Sequence, residues 1–164
     1  MPNPLKYNIR KASEEDVPKI LQLVKKLAEY EKLSHQAVAT EELFKQFGFG
    51  ETAYYHALIA ENNHAGAVGF ALYFFKFSTF LGKPTLHLED LFVLPEHRKS
   101  GIGKSLLKTL AGIALEKNCG RMEWDVLDWN KPAIQFYESI DAAPLSDWIT
   151  YRLTTDNLKK LATK

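Results

Sequence analysis

Apolar residues change their spacing several times along the chain, and each change predicts an element. Leu5, Tyr7 and Ile9 alternate with polar neighbours, the period of a half-buried strand. From Ser13 the period lengthens. Val17, Ile20, Leu21, Val24, Leu27 and Ala28 recur at helical spacing behind a Ser13/Asp16 start signal, with Glu14 and Glu15 where the helix dipole favours acidic groups. Residues 33–39 read as a loop, after which Thr40-Glu41-Glu42 opens a short helix ending at Phe47, with Gly48 as its stop. Two strand-like runs follow, 54–61 and the aromatic-rich 67–77. The segment between them, Asn62-Asn63-His64-Ala65-Gly66, has the composition of a hairpin turn.

Past a loop at 78–84 comes a strand at 85–93, then a helix at 103–117 carrying Leu106, Leu107, Leu110 and Ile113 on one face, stopped by Asn118 and Gly120. A strand at 121–127, a helix at 132–140 with Pro132 in its first turn, a last strand at 148–153 and a short helix from Asp156 complete the reading. Strands interleaved with helices imply an α/β (α+β) layered fold, and the hairpin at 54–77 makes the sheet mixed. The alternation is too irregular for a doubly wound sheet. At 164 residues a single domain, 1–164, is expected.

Composition narrows the function. With 46% hydrophobic and 25% charged residues and a formal net charge of +1, the chain has no broad field for gripping a polyanion, so nucleic acid is not an expected partner. The single cysteine, Cys119, rules out an internal disulfide and a multi-cysteine zinc site, and reads as a small half-buried residue. No histidine pair has metal-site spacing, so no metal is expected; His56 and His87 fall in strands and read as structural, His64 and His97 in turns. The N-terminus lacks an apolar signal core and no apolar run approaches the ~20 residues of a membrane span, so the expectation is a soluble cytoplasmic protein with no membrane partner.

The chemistry concentrates in residues 86–108. An apolar strand carrying Glu89 and Asp90 leads through Arg98-Lys99-Ser100-Gly101-Ile102-Gly103 into a helix. A glycine turn opening a helix binds anions, because first-turn N–H groups lack partners and the dipole places positive charge there. The dinucleotide fingerprint fails at its third glycine, which is Leu106, and the P-loop fails at its first, which is Arg98, although Gly103-Lys104-Ser105 matches its end. The pattern that fits is [Q/R]-x-x-G-x-[G/A]. An ordinary tight strand-to-helix turn has the same residues.

With that loop the sequence resembles the GCN5-related N-acetyltransferase (GNAT) superfamily, whose pyrophosphate loop for acetyl-CoA has this form. Trp129-Asn130-x-Pro132-Ala133-Ile134-x-Phe136-Tyr137 is similar to a block of the spermidine/spermine (diamine) acetyltransferase branch. Tyr30-Glu31, Gly48-Phe49-Gly50-Glu51, Tyr55-His56-Ala57-Leu58-Ile59-Ala60-Glu61 and Leu88-Glu89-Asp90-Leu91-Phe92-Val93 resemble it too, in order and over nearly the whole chain. The resemblance implies the GNAT fold, a mostly antiparallel mixed sheet flanked by helices. It also implies direct acetyl transfer from acetyl-CoA to the primary amine of a diamine, polyamine or thialysine-like amino acid in a ternary complex, by a homodimer.

Such a reaction needs a base for the cationic amine, an acid for the departing thiolate and N–H donors for the developing oxyanion. Glu89 is the base candidate, through water, since a carboxylate in an apolar strand is costly unless paired or useful; it also reads as a charge on the solvated sheet edge. Asp90 faces the other way by alternation unless a bulge intervenes. Tyr137 is the acid candidate, a phenol protonated at neutral pH, and reads equally as a core aromatic. The resemblance implies that Leu91, Phe92 and Val93 bind the pantetheine arm, with the Val93 N–H an oxyanion donor. It assigns Arg98, Lys99, Ser100, Gly101, Ile102, Gly103 and Lys104 to the pyrophosphate, and Asn130, Ala133 and Tyr137 to the cofactor side of the second half. Glu31, Glu89, Asp90 and Trp148 are the amine-binding candidates. Departures from the family pattern include Asp141 for glycine, Ala133 for serine, Ser34 and His35 for acidic residues, and Asp147-Trp148 for an E-G-W pattern; fewer carboxylates weaken the case for a long polycation. A non-catalytic acyl-CoA-binding module, a nucleotide-binding P-loop protein and a protein or peptide N-acetyltransferase are the rivals.

Overall fold

Arg10 anchors the start of the chain. It donates to both carboxylate oxygens of Asp16 (2.7 and 2.9 Å) and both of Glu61 (3.1 and 2.8 Å), joining strand β1 (Tyr7–Lys11), the turn that starts the first helix, and strand β2 (His56–Asn62). The guanidinium holds the Asp16 carboxyl well below the usual carboxylate range. Asp16 also accepts from the Ser13 N–H at 2.8 Å, the reciprocal half of the predicted start signal, so a 3-10 turn at Glu14–Asp16 leads into α1 (Val17–Tyr30).

This computed structural model describes residues 7–163; Leu5 of the first predicted strand lies outside them. The further elements are α2 (Glu41–Phe49), β3 (Gly66–Ser78), β4 (Lys83–Val93), α3 (Ile102–Glu116), β5 (Arg121–Trp124), α4 (Lys131–Glu138) and α5 (Thr155–Ala162). The chain divides into two units, Met1–Asp125 and Val126–Lys164. The first carries a five-stranded sheet in the order β1-β2-β3-β4-β5, antiparallel except for the parallel β4–β5 pair, as the mixed α/β reading expects. The second carries α4 and α5. None of the described helices is long and apolar enough to cross a membrane.

The core of the first unit follows the α1 stripe. Ile20, Leu23 and Leu27 pack with Ala57, Ile59, Phe70, Leu72 and Phe92. Cross-strand partners share a sheet face, and the pairs Ala57↔Leu72, Ile59↔Phe70 and Phe70↔Phe92 therefore mark the face that α1 covers.

Two sequence expectations give way to tertiary context. Gly48 does not stop α2, which runs to Phe49. It is glycine because Tyr55 lies where its side chain would be, with the Tyr55 hydroxyl donating to Phe44 O at 2.9 Å. The run 148–153 forms no strand; Trp148, Ile149 and Tyr151 are 78%, 77% and 90% exposed. An alternating pattern needs a ladder partner, and the described residues supply none. Strand β5 ends at Trp124, short of the expected residue 127. Asp141 does adopt the left-handed conformation (φ 64°) that its place in the motif requires.

Candidate active site

Strand β4 places the two carboxylates. Asp90 pairs with Leu72, but the next pair is Tyr73↔Leu88, so Glu89 is an extra residue in the ladder, a β-bulge. The bulge breaks the alternation. Paired with Leu72, Asp90 points to the face covered by α1, whereas strict alternation from Leu88 would have turned it away.

The two acids then have different environments. Glu89 keeps 55% of its side chain exposed. Asp90 is half-buried, and its carboxyl is pushed up to about 7, by burial first, then by the charges of Glu89 and Glu31. Glu31 is the C-cap residue of α1 and is itself half-buried, with its carboxyl raised by desolvation. The structure thus gathers three of the four sequence-chosen amine-binding residues, Glu31, Glu89 and Asp90, at the end of α1 beside the bulge. A cationic amine is the natural complement of that cluster.

Beyond the bulge, β4 has no ladder partner on its β5 side among the described residues. Its parallel ladder with β5 runs only from Thr85↔Arg121 to Leu88↔Trp124, while β4 continues to Val93. On the other side Leu91, Phe92 and Val93 remain paired with Ala71, Phe70 and Gly69. In an antiparallel pair half of a strand's backbone groups point away from the partner, so this segment offers N–H and C=O groups to a ligand lying along the edge.

The edge leads into the glycine loop. After a 3-10 turn at Pro95–His97, Lys99 (φ 61°) and Gly101 (φ 86°) both take left-handed conformations, and Gly101 caps α3 without any side-chain acceptor. A Cβ at Gly103 would meet nothing within 4 Å, and one at Gly101 only the Tyr7 hydroxyl at 3.7 Å. Neither glycine position at the start of α3 is crowded by the described residues. Arg98 is committed elsewhere: its Nε donates to Val93 O at 2.9 Å and its guanidinium lies over the rings of Tyr30 (4.7 Å) and Phe92 (5.4 Å). It ties the loop to α1 rather than standing out as a phosphate ligand. The Ser100 hydroxyl is likewise used inside the loop, donating to His97 O.

In the second unit, Asn130 is buried and caps α4, its side chain accepting from the Ala133 N–H at 3.4 Å. Tyr137, also on α4, is half-buried with its ring 5.6 Å from that of Phe136. Trp148, the fourth amine-binding candidate, is largely exposed.

One neighbour of the site escaped the sequence reading. His87 stands two residues before Glu89 on the same face, with Nε2 3.7 Å from Glu89 Oε2 and 3.8 Å from Asp125 Oδ2. The i, i+2 spacing was visible in the sequence; that Asp125 follows the end of the adjacent strand was not.

Comparison with known proteins agrees with this geometry. The profile of the acetyltransferase (GNAT) family matches residues 20–141. The chain is 42% identical to thialysine N-epsilon-acetyltransferase of Bos taurus over 95% of its length and 97% of the relative's. It is 34% identical to the human spermidine/spermine N(1)-acetyltransferase-like protein 1 over 95% of its own length and 24% of that protein. An integron cassette protein from the mobile metagenome of V. cholerae superposes with a TM-score of 0.81 at 28% identity, covering 97% of this chain and 99% of that one.

Proposed function

The chain belongs to the GNAT acetyltransferase family, and from that premise we propose that it acetylates the primary amine of a small molecule, a thialysine-like ω-amino acid before a diamine or polyamine. The observation that carries this reading is the bulge at Glu89, which turns Asp90 toward Glu31 and forms an anionic site beside the edge of β4 that continues past the β5 ladder. The similarity to the Bos taurus enzyme over nearly the whole of both chains supports the amino-acid substrate, as do Ser34 and His35 where polyamine acetylators carry acids. We treat the chain as one catalytic domain, since the family match runs across the boundary between the two units.

Acetyl-CoA, the co-substrate of the family, supplies an activated acetyl thioester. The residues present fit it. The N–H groups from Arg98 to Lys104 would hold its pyrophosphate, at the uncrowded glycines that start α3, and the backbone of Leu91, Phe92 and Val93 its pantetheine arm. Lys104 would add charge, and Asn130 and Ala133 belong to the cofactor side of the second unit. Glu31, Glu89 and Asp90 attract the ammonium. The Glu89–Asp90 pair then takes its proton: Asp90 as the half-buried member whose affinity lies near neutrality, Glu89 from the wet side through water. Val93 N–H is assigned to the developing oxyanion and the Tyr137 hydroxyl to protonating the sulfur that departs. Trp148 is assigned to the amine side.

A homodimer is part of the reading. Trp148, Ile149 and Tyr151 expose apolar surface on a segment with strand-like alternation and no ladder partner among the described residues, and a second copy would supply one. Sedimentation at micromolar concentration checks this, with a dimer expected and a monomer counting against it.

The reaction itself is tested by acetyl-CoA-dependent thiol release on thialysine, lysine, putrescine, spermidine, spermine and a lysine-bearing peptide. Turnover of a small amine is expected, with thialysine leading. Tight acetyl-CoA binding without turnover would favour the non-catalytic module, and peptide turnover alone the protein-acetylating rival. The loop has its own test: Gly101→Val puts a β-branched residue at φ 86°, which is strained. The expected result is an acetyl-CoA KM raised about tenfold or more, the loss of roughly 1.4 kcal/mol of binding, with the amine KM little changed.

A further inference from the structure

His87 is a titratable side chain beside Glu89 that the mechanism above leaves unused. Its surroundings are specific. The ring lies on Phe74, its partner on β3, with centroids 4.9 Å apart, and only 13% of the side chain is exposed, against 55% for Glu89 and 91% for Asp125. His87 is therefore the fixed member of the three and the carboxylates are the movable ones. Its Nε2 faces both, while Nδ1 is buried with no hydrogen-bond partner among the described residues.

The other charges near this face are already matched. Lys76 of β3 and Arg121 of β5 both pair with Glu123, which lies directly across from His87 on β5. What remains for Nε2 is the pair of acids that follow the last rung of the β4–β5 ladder, Glu89 on β4 and Asp125 just past the end of β5. Two carboxylates stand before Nε2 and no partner among the described residues before Nδ1, so a proton on Nε2 has the favourable charges facing it. The neutral ring is thus expected to carry its proton on Nε2, aimed at Glu89 and Asp125.

We infer that His87 is a positioning residue for the acetyl transfer: its Nε2 edge, 3.7 Å from the Glu89 carboxylate, draws that carboxylate toward the end of the β4–β5 ladder and so governs how the Glu89–Asp90 pair receives the amine's proton. The inference rests on the acetyl-transfer reading. The physical route is electrostatic: Glu89's charge is one of the causes that raise Asp90, and a donor that draws this charge aside relieves the repulsion between the two acids. Without it Asp90 would bind its proton more tightly, and the amine would be deprotonated only at higher pH.

Two measurements test this. The first follows the His87 ring nitrogens by NMR, without substrate, in the wild-type chain and in Glu89→Gln. Loss of the facing carboxylate should move the Nε2 resonance. An unmoved resonance overturns the pairing whatever the chain does with amines. The second records kcat/KM for the amine across pH in His87→Phe, which keeps the ring stacked on Phe74, and in His87→Gln, which keeps an N–H. The expected result is a loss of about tenfold in His87→Phe with its acidic limb moved to higher pH, an unchanged acetyl-CoA KM, and recovery of most of the rate in His87→Gln. A His87→Phe chain with the wild-type profile overturns the inference, and so does a loss in both variants that tracks a lowered Tm with no movement of the limb. A wild-type chain inert toward every amine would instead sink the acetyl-transfer reading, and the NMR result, which needs no turnover, tells the two failures apart.

Discussion

Asp90→Asn should make the protein more stable and nearly inactive at the same time. The carboxyl sits at about 7 in the fold against 3.8 for the free group, because burial and the charges of Glu89 and Glu31 oppose its ionisation. The sign follows directly. A folded value raised above the unfolded one means that ionised Asp90 destabilises the fold; the penalty is complete above pH ~7 and fades as pH falls through the window from about 7 to 4. Asparagine removes it. At pH 8 the variant is expected to gain on the order of 2–4 kcal/mol in denaturant unfolding, with the difference vanishing near pH 4. Its kcat/KM for the amine should fall by about two orders of magnitude or more, since the pair loses the member that accepts a proton near neutrality. A variant that is neither more stable at pH 8 nor slower would remove Asp90 from the mechanism.

The second large effect is expected from Tyr137→Phe. The side chain is half-buried on α4 with its ring against Phe136, and phenylalanine preserves that packing while deleting only the hydroxyl. A purely structural tyrosine would therefore lose little. If the hydroxyl protonates the departing sulfur, kcat should drop by roughly 10²–10³-fold with acetyl-CoA binding, measured by calorimetry, within a few-fold of the wild type. Normal turnover would return Tyr137 to the role of a packing aromatic. Run beside Asp90→Asn, the experiment also separates acid from base. The aspartate variant should alter the acidic limb of the pH profile, while Tyr137→Phe, which removes no carboxylate, should lower the plateau without moving that limb.

The sequence announced the parts of this protein that depend on near neighbours. Ser13 and Asp16 cap each other three residues apart, the α1 stripe is a 3.6-residue period, and Gly101 occupies a left-handed turn that its neighbours all but demand. These are i to i+4 relations, so the chain states them locally. The same holds for Pro132, which foretold a helix start, although the capping bond from the Ala133 N–H to Asn130 was not foreseen.

What the tertiary structure alone decided concerns pairing between distant strands. Nothing in Leu88-Glu89-Asp90-Leu91 says which residue is the extra one; the register of β3 against β4 does, by setting Tyr73 on Leu88 and Leu72 on Asp90. That single offset sends Asp90 toward Glu31 and leaves Glu89 beside His87. Asp125 reaches His87 because β5 lies parallel to β4 and ends one residue earlier. Gly48 reads as a helix stop until Tyr55 is seen in the space above it, and residues 148–153 read as a strand although they lie in no ladder. Periodicity therefore fixed which segments are helices and most of the strands, whereas face, register and electrostatic partner are properties of two segments at once. A one-residue shift in pairing exchanges every side chain between the faces of a sheet, so the chemistry of this site became definite only when the strands met.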